Sequence, residues 1–261
     1  MKIGLKLWST NLNAYSEEAL SLFRNGVYSF LELYVVPGSL ETLSGWAKLD
    51  IPFTIHCPHS AHGFNLAKNE SEDSNRNIYY EVKMFADRLN ADYIVFHGGM
   101  GKNVEETARQ LKALAEPRAV IENKPYKALP FAGENVTCIG YTPEQIAFVK
   151  AEAQCGFCLD FNHAVCAANS FKKDHFSYID EFMRLKPDMF HLSNMSEASS
   201  ELDNHLHLDE GQLNIEKLVA AMPMNAKVTF ETRKNSKTSL SDFIDDVNYV
   251  KKILERSELL C

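Results

Sequence analysis

Short runs rich in Ile, Val, Phe and Leu recur about every 30 residues along the chain, and the stretches between them carry helical periodicity with charged outer faces. Eight runs read as strands: Ile3 to Leu7, Phe30 to Tyr34, Phe53 to His56, Tyr93 to His97, Ala119 to Glu122, Gly156 to Asp160, Met189 to Leu192 and Lys227 to Glu231. Helices are expected over Ser16 to Asn25, Asp73 to Asn90, Val104 to Glu116, Pro143 to Gln154, Asp174 to Leu185, Ile215 to Ala221 and Leu240 to Glu255. Several open on a capping residue or a first-turn proline, as Thr142-Pro143-Glu144 does.

Regular alternation of strand and helix is the mark of a parallel sheet. Eight βα units in 261 residues match an α/β fold of one domain, a single (β/α)8 or TIM barrel over residues 1–261. A doubly wound open sheet is the competing architecture. Its ligand crevice is local, whereas the polar strand ends here come from strands three through eight.

Six of these runs close on a residue able to bind a divalent metal: His56, His97, Glu122, Asp160, His191 and Glu231. One imidazole at a strand end reads equally well as a core histidine with a satisfied hydrogen bond. Six in succession, at the barrel end where such folds carry their chemistry, describe a ring of ligands around one point. In Asp160-Phe-Asn-His163 the imidazole follows the carboxylate into the expected loop, three residues on. In Leu202-Asp203-Asn204-His205-Leu206-His207 the polar residues alternate, so an extended loop turns Asp203, His205 and His207 to one side.

His56, His97, Glu122, Asp160, His163, His191, Asp203, His205 and Glu231 make nine oxygen and nitrogen donors with no cysteine. A mixed His and carboxylate set suits zinc, manganese or iron. Nine donors are too many for one ion and fit two or three if a carboxylate bridges. Clustered metals serve phosphate ester hydrolysis, polarising the phosphoryl oxygen and activating water.

Composition changes this picture little. With 45% hydrophobic and 24% charged residues the chain has enough apolar material for a barrel core. No apolar leader or membrane-length stretch is visible, and a cytoplasmic location without membrane partners is the expectation. The net charge of −8 argues against a broad nonspecific DNA surface, although bound divalent ions would reverse the local sign where a phosphate sits. The cysteines at 57, 138, 155, 158, 166 and 261 include a Cys155-Gly-Phe-Cys158 spacing. Lacking a second such pair and leading into Asp160, it reads as reduced, partly buried thiols.

The segments IHCPH (55 to 59), VFHGG (95 to 99), IENKP (121 to 125), LDFNH (159 to 163), FHLSN (190 to 194), LDNHLHLDEG (202 to 211) and FET (230 to 232) resemble the endonuclease IV branch of the xylose-isomerase-like TIM barrels. The resemblance covers nearly the whole chain. It implies a zinc-dependent hydrolase acting on phosphodiester bonds, with Glu122, Asp160 and Glu231 catalytic and damaged DNA as the substrate of the branch. It further implies His56 and His97 on one zinc, Glu122 bridging to a second held by Asp160, His191 and Glu231, and a third on His163, Asp203 and His205.

Departures from the branch fall outside the donors. Members acting on abasic DNA carry basic and aromatic loop residues that penetrate the duplex, whereas the loop after the second strand reads Val35-Val36-Pro37-Gly38-Ser39. A tyrosine usual three residues past the first histidine is His59 here, followed by an apparent insertion at Ser60-Ala61-His62. A glycine-rich stretch after the fifth strand is replaced by Asn123-Lys124-Pro125-Tyr126.

The alternative function within the superfamily is a single-metal sugar isomerase or epimerase, which matches at Glu122, Asp160, His191 and Glu231 but has no use for His56, His97, Asp203 and His205. A catalytically silent binding barrel leaves the many inward-facing polar groups, costly to bury, unexplained. Candidate substrate contacts are His59, Glu32, Lys124, His207 and Arg233. For Glu32 the competing reading is a buried carboxylate paired with Lys6, and for Arg233 a surface role. Trp8 and Trp46 are expected to pack at the barrel rim, Trp8 with the option of a pocket wall, and His175 to be solvated at a helix start.

Overall fold

The computed structural model describes residues 1–101, 103–133 and 135–258. Strands β1 (Lys2–Trp8), β2 (Phe30–Tyr34), β3 (Phe53–His56), β4 (Ile94–His97), β5 (Ala119–Glu122), β6 (Gly156–Asp160), β7 (Met189–Leu192) and β8 (Lys227–Phe230) close into a barrel in chain order. Every pairing is parallel, and β1 meets β8 through Ile3 opposite Val228. Around it run α1 (Leu12–Arg24), α2 (Leu43–Trp46), α3 (Glu72–Arg88), α4 (Val104–Ala113), α5 (Pro143–Ala153), α6 (Phe161–Ser170), α7 (His175–Met183), α8 (Ile215–Ala221) and α9 (Ser241–Glu258). None is long and apolar enough to cross a membrane.

Strand alternation decides which side chains reach the barrel interior. Phe96, Ile121, Leu159 and Phe190 belong to the large cluster between strands and helices, whereas Val95, Val120, Cys158 and Met189 form a separate small cluster. Two residues on from each member of that inner layer stand His97, Glu122, Asp160 and His191. The inner layer is thus a dry floor, and the next inward position on four consecutive strands is polar and metal-competent. The register agrees, with His97 opposite Glu122 and Asp160 opposite His191. At the opposite end Gly4 allows the Phe30 ring to cross β1, since a Cβ there would lie 2.3 Å from that ring.

The expected strands recur, with β1 one residue longer at each end, β4 beginning at Ile94 and β8 ending at Phe230. Glu231 therefore stands just past its strand and His191 one residue inside its own. Helix α1 begins at Leu12, four residues before the expected Ser16, behind a 3-10 turn at Ser9–Asn11. Helix α6 stands where the sequence predicts loop. Its residues, FNHAVCAANS, lack a charged outer face because eight of the ten are buried, so no amphipathic period marks it.

Candidate metal centre

Helix α6 places the first pair of donors. Asp160 caps it, its Oδ1 accepting the backbone N–H of His163 at 2.8 Å, so carboxylate and imidazole face inward from strand end and first helical turn rather than across a loop. The amide of Asn123, next after Glu122, spans the adjoining strand ends: its Nδ2 donates to the Asp160 carbonyl and its Oδ1 accepts the Asp160 N–H. Asp160 and His163 are thereby fixed by backbone hydrogen bonds.

Four groups of donors overlap here, each with ligand atoms mutually within 4.8 Å: His56, His97 and Glu122; Glu122, Asp160 and His163; His163, Asp203 and His205; and Glu32, His56, His191 and Glu231. Glu122 is the hinge of the set. Its Oε2 lies 2.9 Å from His97 Nε2 and 3.2 Å from His56 Nε2, while its Oε1 lies 2.9 Å from His163 Nδ1. At the rim, Asp203 Oδ2 stands 2.8 Å from His205 Nε2 and 3.3 Å from His163 Nε2.

The protonation pattern tests whether ions fit. His56 Nδ1 donates to the Cys57 carbonyl at 2.8 Å, which leaves Nε2 as a bare lone pair directed at Glu122 Oε2. Burial holds His56 neutral, down to about 4, and His97 well below its usual value. Burial alone would push the Glu122 carboxyl up, but the positive charges of Lys124 and His191 beside it outweigh burial and hold it well below the usual carboxylate range. Two acceptors thus face each other without a proton between them. Among the described residues six buried polar atoms make no hydrogen bond of sound geometry, and four of them are carboxylate oxygens of Glu32, Glu122, Asp160 and Asp203, three of which have only ion-pair contacts with lysine or imidazole nitrogens. Buried acceptors concentrated at one point in this way are what bound cations satisfy.

The fourth group departs from the division implied by the resemblance. Glu32 joins it: fully buried, it takes His191 Nε2 at 3.0 Å, Thr229 at 2.6 Å and Lys6 Nζ at 3.3 Å. The expected pairing with Lys6 is present, and it orients His191 as well. His191 Nδ1 is 2.9 Å from Glu231 Oε1 and 3.6 Å from Glu122 Oε2. Lys6 also contacts Glu231 directly. A cavity of about 660 Å³ opens above, walled by His56, His59, His97, His163, Asp203, His205 and Glu231, with Lys6, Lys124, Lys127, Arg233 and Lys234 among its lining. Of these cations Lys6, Lys124, Lys127 and Arg233 are ion-paired with Glu231, Glu122, Glu201 and Glu210.

Among the substrate candidates, Lys124 Nζ lies 3.1 Å from His163 Nε2, and His59 stacks on His97 at 6.0 Å with rings 10° apart. Arg233 lines the cavity edge and pairs with Glu210 at 2.7 Å. His207 does not join them. His205 adopts φ +45°, which breaks the expected alternation, and His207 turns instead to α9, with Nδ1 2.9 Å from Asp246 and Nε2 3.0 Å from Asn235. His175 is half-buried rather than solvated, bound to Asn169 Oδ1 at 2.7 Å. Trp46 is fully buried and Trp8 is a cavity wall.

Cys57, Cys138, Cys155, Cys158 and Cys166 are free thiols, and Cys261 lies outside the described residues. Burial raises Cys155 to about 11 and Cys158 to about 12, so neither is a thiolate. The place of Lys6 at the centre has no motif behind it, because a lone lysine inside a strand leaves none. Its alternation with Leu5 and Leu7 is the signal in the sequence that marks it as inward-facing.

Residues 39–253 match the family model described as xylose isomerase-like TIM barrel. The chain belongs to that family. A probable endonuclease 4 of Thermoplasma volcanium is 27% identical over 166 residues, which is 59% of this chain and 58% of that protein, so the match spans little more than half the relative's length. Among solved structures, a D-tagatose 3-epimerase-like protein superposes with a TM-score of 0.75 at 16% identity, covering 100% of both chains. Endonuclease IV from Thermus thermophilus superposes with a TM-score of 0.71 at 18% identity, covering 98% of this chain and 100% of that one. At these identities the superpositions establish the fold. The family is one of enzymes with differing reactions.

Proposed function

We propose that the chain is a metal-dependent phosphodiester hydrolase of the endonuclease IV kind, carrying two or three zinc ions on the donors around Glu122, with manganese or iron as substitutes. The observation that supports this reading most is the extent of the donor set. His56 and His97 on one side, and Asp203 and His205 at the rim, extend it beyond the four residues that a single-ion enzyme requires. Zinc bound in such clusters supplies Lewis-acid polarisation of a phosphoryl oxygen and lowers the pKa of water.

The chain's own residues then divide the work. Glu122 and Asp160, buried beneath the cavity, hold the imidazoles in register and balance positive charge. Glu231 lines the cavity itself, where its carboxylate can take a proton from the attacking water. Lys124 and Arg233 stand where a phosphate would enter and supply charge to its oxygens. His59 offers a further polar contact on the same wall. Damaged DNA is the substrate that the resemblance to the endonuclease IV branch implies.

The second reading, a single-metal sugar isomerase or epimerase, is supported by Glu122, Asp160, His191 and Glu231, which would hold one ion with carboxylates on either side of a hydroxy-ketone. Metal analysis of protein purified without chelator, paired with assays on an aryl phosphodiester and on ketohexoses, separates the two. Two to three ions per chain with phosphodiester cleavage is expected. One ion with sugar turnover would replace the first reading with the second.

A further inference from the structure

We infer that one wall of the cavity is a subsite for an intact nucleobase, so that the substrate is a nucleotide-sized or single-stranded phosphodiester with a base beside the scissile phosphate. The inference rests on the phosphodiester reading above and names the substrate class for that site. Nine large hydrophobic side chains are exposed among the described residues, and four of them, Trp8, Leu129, Phe131 and Leu202, converge on this one cavity. Trp8 is 47% exposed and Phe131 57%. Apolar surface gathered beside a ring of polar donors is a binding feature, whereas scattered exposed residues need no explanation.

Trp8 is also pre-set. Its ring lies 5.3 Å from that of Tyr34 at 31°, and His62 meets it edge-on at 5.9 Å. Tyr34 is buried and held by its hydroxyl, which bonds His62 Nδ1 at 2.6 Å and accepts the His59 N–H at 3.1 Å. The Trp8 backbone N–H is tied to Asn11 Oδ1 at 2.8 Å, while the indole N–H bonds no described residue. A half-exposed ring backed by a fixed one is a stacking platform that has already lost its conformational freedom. The cavity volume of about 660 Å³ falls in the range of small-molecule sites and suits a nucleotide rather than a duplex. An abasic sugar would present no ring to this wall.

The test exploits the two tryptophans of the chain, since Trp46 is buried with Nε1 bound to the Ser9 carbonyl and Trp8 alone is open to a quencher. Zinc-loaded protein is titrated with adenosine 5′-monophosphate while emission is followed, and ribose 5-phosphate is measured as a competitor. Saturable quenching and clearly weaker binding of ribose 5-phosphate are expected. By equilibrium dialysis, Trp8→Ala should bind adenosine 5′-monophosphate roughly five- to a hundredfold more weakly and Trp8→Phe should retain most of the affinity, with ribose 5-phosphate binding unchanged in both. Equal affinity for the two ligands, or no effect of Trp8→Ala, overturns the subsite. Cleavage of bis(p-nitrophenyl) phosphate by the parent protein is scored separately: base-dependent binding without any cleavage removes the hydrolase reading and keeps the subsite, and cleavage without base-dependent binding does the reverse.

Discussion

Glu122 and His163 meet at 2.9 Å, Oε1 to Nδ1, and this contact joins the donors on the β3 and β4 ends to those on α6 and the loop after β7. One carboxylate therefore belongs to two groups at once. Its two oxygens point to different neighbours, Oε2 to His56 and His97 and Oε1 to His163.

Glu122→Gln should accordingly lower metal content at more than one position while the barrel stays folded, because a neutral amide is a poor ligand and removes charge from both groups. Metal analysis with circular dichroism checks it. Full metal content in that variant would show that Glu122 bridges nothing.

Deletion of donors outside the four-residue set separates the reaction classes. His97→Ala and His205→Ala should each reduce phosphodiester hydrolysis by more than the roughly 10- to 100-fold typical of losing an outer partner of a metal ligand. A single-ion isomerase should lose little. Sugar turnover retained in both variants, with no phosphodiesterase activity in the parent, would end the hydrolase reading.

His163 carries a pH signature. Burial disfavours its charge, but Asp160, Asp203 and Glu122 outweigh burial and Lys124, raising it from 6.5 to about 9. The charged imidazole therefore stabilises the metal-free fold fully below about pH 6.5, and that contribution is lost as pH climbs through about 9. Zinc needs the deprotonated ring, so loading at pH 7.5 should release a proton from this residue. Calorimetry in two buffers of different ionisation enthalpy measures the number released. His163→Asn should release about one proton fewer, and an unchanged count would show that His163 is not protonated before loading.

The barrel and most of the donors are legible in the sequence because both follow from period-2 alternation. Four strand ends, those of β4 to β7, carry a polar residue two positions past an inward apolar one, as Glu122 follows Val120 and His191 follows Met189. What is hidden lies where periodicity fails. Helix α6 is buried over eight of its ten residues and reads as loop, and the left-handed turn at His205 redirects His207. Lys124 is recognisable as a candidate substrate contact and Lys6 as a partner of Glu32, but the contacts of Lys6 with Glu231 and of Lys124 with His163 are made through long side chains and follow from no spacing. Glu32 is recognisable as a buried partner of Lys6, but its grip on His191 comes from a strand 159 residues away.

The redirected His207 gives a direct check on that correction. His207→Ala should leave metal stoichiometry unchanged and lower stability by roughly 1–3 kcal/mol, since Asp246 is buried and loses one of three donors, the others being the Leu208 N–H and the Thr232 hydroxyl. Thermal denaturation and metal analysis on the same sample decide the matter. Loss of an ion would show that His207 holds metal.

Substrate choice follows from what surrounds the donors. The loop after β2 offers Val35, Val36, Pro37, Gly38 and Ser39, with no basic or aromatic side chain to enter a duplex, and the chain as a whole carries a charge of −8. Of its 27 lysines and arginines five line the cavity, where Lys124 and Arg233 can meet one phosphate but do not track a backbone. Affinity for long DNA should then come from few phosphate contacts and stay weak, because the counterion release that drives such binding scales with the phosphates neutralised. We expect an abasic duplex to be cleaved no faster than a single strand or a small aryl phosphodiester when the three are compared side by side with zinc or manganese supplied. Efficient cleavage confined to abasic sites in the duplex would mean that other loops supply the duplex contacts and that the gap after β2 carries no weight in recognition.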